Sequence, residues 1–381
     1  MRLGKPGKLI RLSKSCLSLR EKESVMKVLN KEFLGMGEEV SLFEKKLSIF
    51  FNRSVVCVAN GTAALQLALQ AAGLKLGDEV LVPSLTYLSS YQAISAIGAV
   101  PVSCDVELNS ATIDIDDAQK KISKKTRAIM PVHYAGGVGN LSEVYKFAKK
   151  FKIRIIEDAA HAFGTKYKNK LIGSQGDIVC FSFDGIKNIT SGEGGCVVTN
   201  DKKVLNSIQD SRLLGIKGDS KKRYNNKRSW VPEVREQGWR YHMSNIMAAI
   251  GIVQLKRFKI LSKKRQNLAK YYDKKLLAET KIKIFKQDYN NVVPHIYPIR
   301  IPGLKKRADL INSLTIKGIQ SGFHYYPNHM LSFYKSSIKL KKTEKIFPEL
   351  LSLPLHPDIS KKEVDYITKT LIKILPNFIK S

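Results

Sequence analysis

Cysteine, acidic side chains and long apolar runs are all scarce in this sequence. Its 381 residues include 5 cysteines, an odd number with no CxxC or CxH pair, so we expect neither a disulfide scaffold nor a metal site. No apolar stretch reaches the ~18 residues of a membrane span, and the basic N-terminus lacks the apolar core of a secretory signal. We therefore expect a cytoplasmic protein, away from the membrane, with five reduced thiols: Cys16, Cys57, Cys104, Cys180 and Cys196.

The shortage of acidic residues leaves a large positive charge: the chain has 65 basic and 33 acidic residues, which gives a formal net charge of +32. Such a surplus is compatible with nucleic acid, a membrane surface or an anionic small substrate. The lysines are spread in pairs over the whole chain, and no stripe interleaves basic with aromatic residues. We expect mainly solvated surface charge, with a field that attracts an anionic ligand as the alternative, and no nucleic-acid function.

Short apolar strands alternate with helical patterns through the first 200 residues. The chain is 43% hydrophobic, which is typical of a globular protein and excludes disorder. Segments such as RSVVCVAN, DEVLVP and IRIIEDAAH are strand-like, and helical patterns separate them. This alternation predicts an α/β domain whose central sheet is mostly parallel and flanked by helices.

The chain changes character near residue 217. Residues 217–236 are polar and basic, and they predict a long exposed loop. A helical pattern from Ser244 is longer than one typical helix, so we expect it to bridge two domains. The strand and helix patterns that follow predict a smaller α/β domain. We place the N-terminal segment and large domain at residues 1–250, and the small C-terminal domain at residues 251–381.

Lys187 is the most distinctive chemical candidate. It follows a predicted strand within SFDGIKNITSGEGG and lies outside any charge run. A lysine at a strand end can be desolvated beside a cofactor, which makes its amine available for a Schiff base. The serine, glycine and backbone N–H groups around it suit a phosphate. For this segment alone, an ordinary surface lysine in a flexible loop is an equal alternative.

Three further candidates follow predicted strands. Asp158 lies at the carboxyl edge of the sheet, where a carboxylate can pair with a protonated ring nitrogen, although a helix N-cap is the alternative. Asn60, Gly61 and Thr62 begin a helix whose N–H groups either bind a phosphate or are simply capped. Tyr87 follows a strand in a turn, where it either stacks on a planar ring or packs in the core.

The order of these candidates along one sheet edge is that of a pyridoxal phosphate site. In such a site Asp158 keeps the ring nitrogen protonated, so that the ring accepts electrons, while Lys187 forms the Schiff base and later moves protons. Tyr87 stacks on the ring. The phosphate lies against three small residues, Gly61, Thr62 and Ser182.

These segments resemble the sugar aminotransferases of the DegT/DnrJ/StrS family, which are fold-type I pyridoxal phosphate enzymes. The resemblance runs from GMGEEVSLFEKKL, at Gly35, to LSLPLHP, at Leu351, and is most specific in IEDAAHAFGT and SFDGIKNITSGEGG. It implies a large domain with a mostly parallel sheet and a smaller C-terminal α/β domain. A homodimer with its active site at the subunit interface is implied as well.

The implied activity is transfer of an amino group, usually from glutamate, to a keto sugar linked to a nucleotide diphosphate. The segment GIKNITSGEGG resembles relatives that aminate C4 more than relatives that aminate C3. This favours a 4-keto-6-deoxy sugar, with C3 amination as the alternative. We expect the product to serve surface polysaccharide or lipopolysaccharide synthesis. The basic surplus fits such an anionic substrate.

The resemblance also implies roles for individual residues. Lys187 matches the catalytic lysine, and because relatives with His there act as dehydratases, it favours transamination. Cofactor contacts are implied for Gly61, Thr62, Ala63, Tyr87, Asp158, His161, Ser182, Lys187, Asn188 and Arg240. Substrate contacts are expected for Asp184, His324 and His329, the last often from the partner subunit.

Two positions depart from the family pattern. Asp184 stands where many relatives have His, and we expect it to shape substrate binding locally. GWRYH replaces GxNYR, whose Asn reaches the other subunit's phosphate, so Arg240 is a candidate cationic ligand in its place. The role of His242 is open. The loop at 217–236 is either a diphosphate clamp or a solvated charge run, with five basic residues: Lys221, Lys222, Arg223, Lys227 and Arg228.

Two other classes of function are possible on the same fold. A pyridoxal phosphate dehydratase or epimerase would act on the same sugars without stoichiometric consumption of glutamate. A non-catalytic regulator or nucleic-acid binder would show no cofactor absorbance, and its nucleic-acid binding would fall steeply with salt.

Overall fold

The computed structural model describes residues 9–225, 227, 230–234 and 236–379. The helices are α1 (Leu19–Asn30), α2 (Glu38–Phe51), α3 (Gly61–Ala71), α4 (Leu88–Ala96), α5 (Ile115–Lys121), α6 (Leu141–Phe151), α7 (Lys202–Ser211), α8 (Asp219–Tyr224), α9 (Asn245–Leu276), α10 (Arg307–Ile316), α11 (Lys341–Ile346) and α12 (Lys361–Ile374). The strands are β1 (Val55–Val58), β2 (Glu79–Pro83), β3 (Val100–Cys104), β4 (Thr126–Ile129), β5 (Arg154–Asp158), β6 (Lys166–Tyr167), β7 (Lys170–Leu171), β8 (Ile178–Ser182), β9 (Gly195–Val198), β10 (Lys283–Ile284), β11 (Tyr297–Arg300) and β12 (Leu350–Leu353).

A seven-stranded sheet in the order β1-β9-β8-β5-β4-β2-β3 forms the centre of the large unit. The pairs from β8 through β3 are parallel, and β9 runs antiparallel to both of its neighbours. The prediction of a mostly parallel sheet is therefore confirmed. Strands such as β1 are buried at every residue, because helices cover both faces and leave no side for polar residues.

Each face of this sheet has its own apolar core. Alternate residues of β1 show the division, since Cys57 packs with α2, α6 and the start of α9, whereas Val56 packs with α3, α4 and α7. The period-two alternation of a strand sends neighbouring side chains to opposite faces. Because β5 and β8 are parallel neighbours, their carboxyl ends lie side by side at one sheet edge.

A second, smaller unit is built on the antiparallel sheet β10-β11-β12 and the helices α10 and α12. The long helix α9 contributes Ala248 and Ile252 to the large core and Leu268 and Tyr272 to the small one. Ile10, from the N-terminal segment, also packs in the small core. We propose that the domain boundary lies near residues 250 and 251, within α9, with the segment around Ile10 joined to the smaller unit.

The prediction of one long loop over residues 217–236 was wrong, because α8 forms inside it. Arg223 ion-pairs with Asp219 one turn earlier at 2.8 Å, and Tyr224 donates a hydrogen bond to Glu44 of α2. These contacts anchor the segment despite its polar composition. Arg228, one of the five basic residues of the expected clamp, lies outside the described residues.

The cysteines match their predicted state, since all five are free and buried. Among the described helices, none has both the length and the apolar character that crossing a membrane requires.

Candidate active site

A cavity of about 530 Å³ opens at the carboxyl edge of β5 and β8. The N-terminus of α3 and the turn before α4 form one wall, and segments from the C-terminal part of the chain form another. The cavity brings together most of the residues predicted from the sequence, namely Gly61, Thr62, Tyr87, Asp158, His161, Ser182, Asp184, Lys187 and His324.

The N-terminus of α3 approaches the end of β8 more closely than any side chain would allow. A Cβ atom on Gly61 would lie 2.8 Å from the Cβ of Ser182, so glycine is required here by space. Asn60 caps the helix by accepting a hydrogen bond from the N–H of Ala63 at 2.8 Å, and Thr62 donates to Ser89 at 2.8 Å. Hydroxyl groups and a helix N-terminus thus face the cavity, and this donor set fits a phosphate.

Asp158 ends β5 with its carboxylate held from two sides. Ser90 Oγ donates to Asp158 Oδ2 at 2.8 Å, and the N–H of Ala160 donates to Oδ1 at 3.2 Å. Ser90 is fully buried and lies 2.9 Å from the hydroxyl of Thr86. These bonds fix the carboxylate at the cavity wall, where it fits the protonated ring nitrogen of a pyridine cofactor.

Lys187 brings its amine into the same cavity. Burial lowers the pKa of Lys187 to about 8, although Asp158 and Asp184 act in the opposite direction. Its Nζ lies 3.5 Å from His295 Nε2. The neutral amine is therefore far more populated at neutral pH than in an ordinary lysine, as a nucleophile or a proton carrier requires.

The histidines beside Lys187 are neutral. His161 Nδ1 accepts from the N–H of Ala135 at 3.3 Å, which leaves the ring proton on Nε2, 2.9 Å from the hydroxyl of Tyr325. Burial lowers the pKa of His161 and His295 well below the usual range, and that of His324 to about 4. These rings add no competing positive charge beside the amine.

Tyr87 is the open aromatic of the cavity. Its side chain is 59% exposed, and its ring centroid lies 5.5 Å from that of Tyr325 at an angle of 49°. An exposed ring at the cavity mouth has a face free to stack on a planar ligand. The position agrees with the ring-stacking role expected of Tyr87, a role that stays a prediction.

Four predicted residues lie outside the cavity lining: Ala63, Asn188, Arg240 and His329. Asn188 donates its amide hydrogens to two main-chain carbonyls, so it holds the Lys187 segment in place. His329 is buried, with Nδ1 2.6 Å from the hydroxyl of Ser84. Arg240 is exposed on the surface. Their proposed ligand contacts stay predictions.

The structure adds residues that the sequence analysis did not identify as part of the site. His295 lies two residues before β11 and contacts the lysine, and Tyr325 lies between His161 and Tyr87. Ser90, on α4, supports Asp158. The signal for Tyr325 was its place in the aromatic turn HYYPNHM, whereas His295 had no marker beyond being a lone histidine at a strand start.

One cluster away from the cavity combines metal-ligand types. Among the described residues, Cys16, His356 and Asp358 have ligand atoms within 4.8 Å of one another. Lys14 already ion-pairs with Asp358 at 2.7 Å, and burial raises the pKa of the Cys16 thiol to about 11. A protonated thiol and a carboxylate shared with an ammonium are poor ligands, so we assign no metal to this cluster.

Comparison with known proteins shows the family to which the chain belongs. The family model of the DegT/DnrJ/EryC1/StrS aminotransferases matches residues 15–372. The uncharacterised protein MJ1066 of Methanocaldococcus jannaschii is 34% identical, covering 94% of this chain and 96% of its own. The spore coat polysaccharide biosynthesis protein SpsC of Bacillus subtilis is 32% identical, covering 93% and 94%.

Solved structures show the same fold. PseC of Helicobacter pylori, an aminotransferase involved in the biosynthesis of pseudoaminic acid, superposes with a TM-score of 0.89 at 28% identity, over 97% of this chain and 100% of its own. The pyridoxal phosphate form of Spr1654 from Streptococcus pneumoniae, described as a sugar aminotransferase, has a TM-score of 0.89 at 29% identity, over 98% and 100%. The predicted fold-type I architecture is confirmed. With pyridoxal phosphate as its cofactor, the chain belongs to the DegT/DnrJ/EryC1/StrS aminotransferase family.

Proposed function

We propose that this chain transfers an amino group from glutamate to a keto sugar carried on a nucleotide diphosphate. The observation that carries the proposal is the buried Lys187 amine, which shares one cavity with Asp158 and with the small residues at the start of α3. A cavity with these three elements provides a proton carrier, a partner for a ring nitrogen and a phosphate site. Amino-group transfer needs all three.

The residues of the cavity divide this chemistry among them. Pyridoxal phosphate, when bound, supplies an electron sink for the carbon that loses a proton. Gly61, Thr62 and Ser182 hold the phosphate, and Asp158 pairs with the ring nitrogen. Lys187, once freed by the amino donor, takes a proton at Nζ from one carbon and returns it to another. Its lowered pKa suits both directions of this transfer near neutral pH.

The charge of the chain and the character of its relatives support a nucleotide sugar as acceptor. The net charge of +32 attracts an anionic diphosphate into a cleft. PseC and SpsC act in the synthesis of pseudoaminic acid and of a spore coat polysaccharide. We propose a 4-keto-6-deoxy sugar as acceptor, and a surface polysaccharide or lipopolysaccharide as the destination of the product.

We also propose that the chain works as a cytoplasmic homodimer. Apolar side chains project from α1, α2 and the segments beside them with exposures above 40%: Leu17, Leu19, Met26, Leu29, Leu34, Leu42 and Ile49. Such a concentration of exposed apolar side chains supports a protein interface. Arg240, exposed and outside its own cavity, is then available to the cavity of the partner.

The test is a panel of nucleotide-linked keto sugars incubated with glutamate and the purified enzyme. We expect one amino sugar product, with 2-oxoglutarate formed in equal amount, and NMR of the product shows whether C4 or C3 carries the nitrogen. The Lys187→Ala variant serves as the control, since it should fold and give no turnover.

Two outcomes would contradict the proposal. Conversion of the sugar without consumption of glutamate would identify a dehydratase or epimerase. Full activity of Lys187→Ala would show that another group carries the proton.

A further inference from the structure

Arg265 is a buried cation whose hydrogen bonds, among the residues that the structure describes, all go to main-chain carbonyls. It lies on α9 with 2% of its surface exposed. One terminal nitrogen, Nη1, donates to the carbonyls of His295 at 3.0 Å and Leu355 at 3.2 Å, and Nη2 donates to the carbonyl of Ile186 at 3.3 Å. Within the described part of the chain, no carboxylate accompanies these contacts.

The three carbonyls belong to segments that meet around the catalytic amine. Ile186 directly precedes Lys187 in the loop after β8, and His295 contacts Lys187 Nζ through its ring. Leu355 follows β12 in the smaller unit and pairs through its N–H with the carbonyl of Leu12. One guanidinium therefore joins the lysine loop, the histidine beside it and the C-terminal unit.

Burying Arg265 in this arrangement costs free energy, which argues against a role in packing alone. Burying a guanidinium without a carboxylate carries a desolvation cost that an apolar side chain of the same volume avoids. Burial lowers the pKa of Arg265 to about 10, so the side chain still carries its charge at neutral pH. Its Nε hydrogen has no hydrogen-bond partner among the described residues. Only the planar fork of an arginine reaches carbonyls on three separate segments.

We propose that Arg265 is a positioning residue that holds the Lys187 loop and His295 in register with each other and with the C-terminal unit. It acts through main-chain carbonyls and does not line the cavity. The inference rests on the role proposed for Lys187. Arg265 also acts on the same two residues through its charge, which lowers the pKa of both Lys187 and His295.

The test measures how pyridoxal phosphate recombines with enzyme from which it has been removed. The second-order rate constant, followed by absorbance across a pH series, reports the position of Lys187, and its pH midpoint reports the pKa of the amine. Arg265→Lys keeps the charge but cannot span three segments, so we expect association roughly tenfold slower with an unchanged midpoint. Arg265→Met loses the charge as well, and its midpoint should move upward.

Arg53 provides a matched control. It is also buried, also donates to three main-chain carbonyls, those of Gly173, Gly176 and Asp177, and also leaves Nε without a partner. It does not line the cavity. Arg53→Lys should lower the melting temperature as Arg265→Lys does, while the association rate and pH midpoint stay at their wild-type values.

The proposal is overturned if Arg265→Lys loses thermal stability but recombines with the cofactor at the wild-type rate, since Arg265 then only packs the fold. If Arg265→Met is insoluble, the conservative Arg265→Lys variant decides alone. Failure of the sugar panel would refute the proposed substrate and leave these measurements unaffected, because they involve no sugar.

Discussion

The burial of the Lys187 amine, which suits its proposed catalytic role, opposes the stability of the fold. Burial lowers its pKa from 10.5 to about 8, so the folded chain binds this proton less tightly than the unfolded chain does. At pH values below 8 both states are protonated, and the full penalty is present. The penalty shrinks as pH rises from 8 to 10.5 and is gone above that range.

The Lys187→Met variant should therefore be more stable than the wild type when both are free of cofactor. Methionine keeps the length of the side chain and removes the buried charge, so the shift from 10.5 to about 8 predicts a gain of roughly 3 kcal/mol at pH 7. The gain should fall towards zero at about pH 10.5. Urea unfolding at a series of pH values measures it.

Lys149→Met provides the control, because Lys149 is exposed on α6. The free energy of unfolding of this variant should stay close to that of the wild type across the same pH series. An equal free energy of unfolding for wild type and Lys187→Met at pH 7 would contradict the burial of the amine.

At the scale of single residues, the sequence predicted the half of the site that follows strands of the large sheet. Asp158, Ser182 and Lys187 were found because carboxyl ends of parallel strands meet at one edge. His295 and Arg265 were missed, because they come from the second half of the chain and nothing local distinguishes a lone histidine or one basic residue among 65. Their roles depend on tertiary contacts alone.

Among the elements, the contact between α3 and β8 shapes the end of the cavity where we propose that the phosphate binds. Gly61 lies where the helix begins, and an added Cβ would meet Ser182 at 2.8 Å. The atoms in the way are the Cβ and Oγ of Ser182. Its Cβ is attached directly to the main chain of a buried strand, so it cannot move aside as the end of a long side chain can. The helix must shift instead, and its N–H groups shift with it.

Gly61→Ala should therefore weaken pyridoxal phosphate binding, with a dissociation constant about tenfold higher, while the fold survives. Equilibrium titration of the cofactor, followed by absorbance, measures this. Gly35→Ala is the matched control, because nothing lies within 4 Å of its added Cβ. Unchanged affinity in Gly61→Ala would show that the phosphate lies elsewhere in the cavity.

Elements with one dominant pattern could be predicted from the sequence, and elements held by distant partners could not. Strands β1, β2 and β8 are largely apolar runs, and α9 is capped by Ser244, whose hydroxyl accepts from the N–H of Met247. The helix α8 has a polar sequence that favours a loop. It forms because Tyr224 contacts Arg212 and also Glu44, which lies 180 residues earlier in the chain.

Viewed as a whole molecule, the chain carries its predicted cationic cofactor ligand, Arg240, away from the cavity. Arg240 is exposed, and its side chain lies outside the cavity that contains Lys187. The main chain at Arg240 pairs with Leu213 in an isolated bridge, which fixes the segment on the surface. We propose that a cation in that position serves a cofactor phosphate across an interface with a second copy of the chain.

Mixing two inactive variants tests this arrangement. Lys187→Ala lacks the amine, and Arg240→Ala lacks the cation, so each homodimer should be inactive or strongly impaired. If Arg240 serves the partner's cavity, a mixed dimer has one cavity with both groups and one with neither. Random assembly then restores about a quarter of the wild-type activity, since half of the dimers are mixed and half of their sites are complete.

If Arg240 acts within its own chain, no mixed dimer has a complete site and the mixture stays inactive. Full activity of Arg240→Ala by itself would remove the residue from the phosphate site altogether.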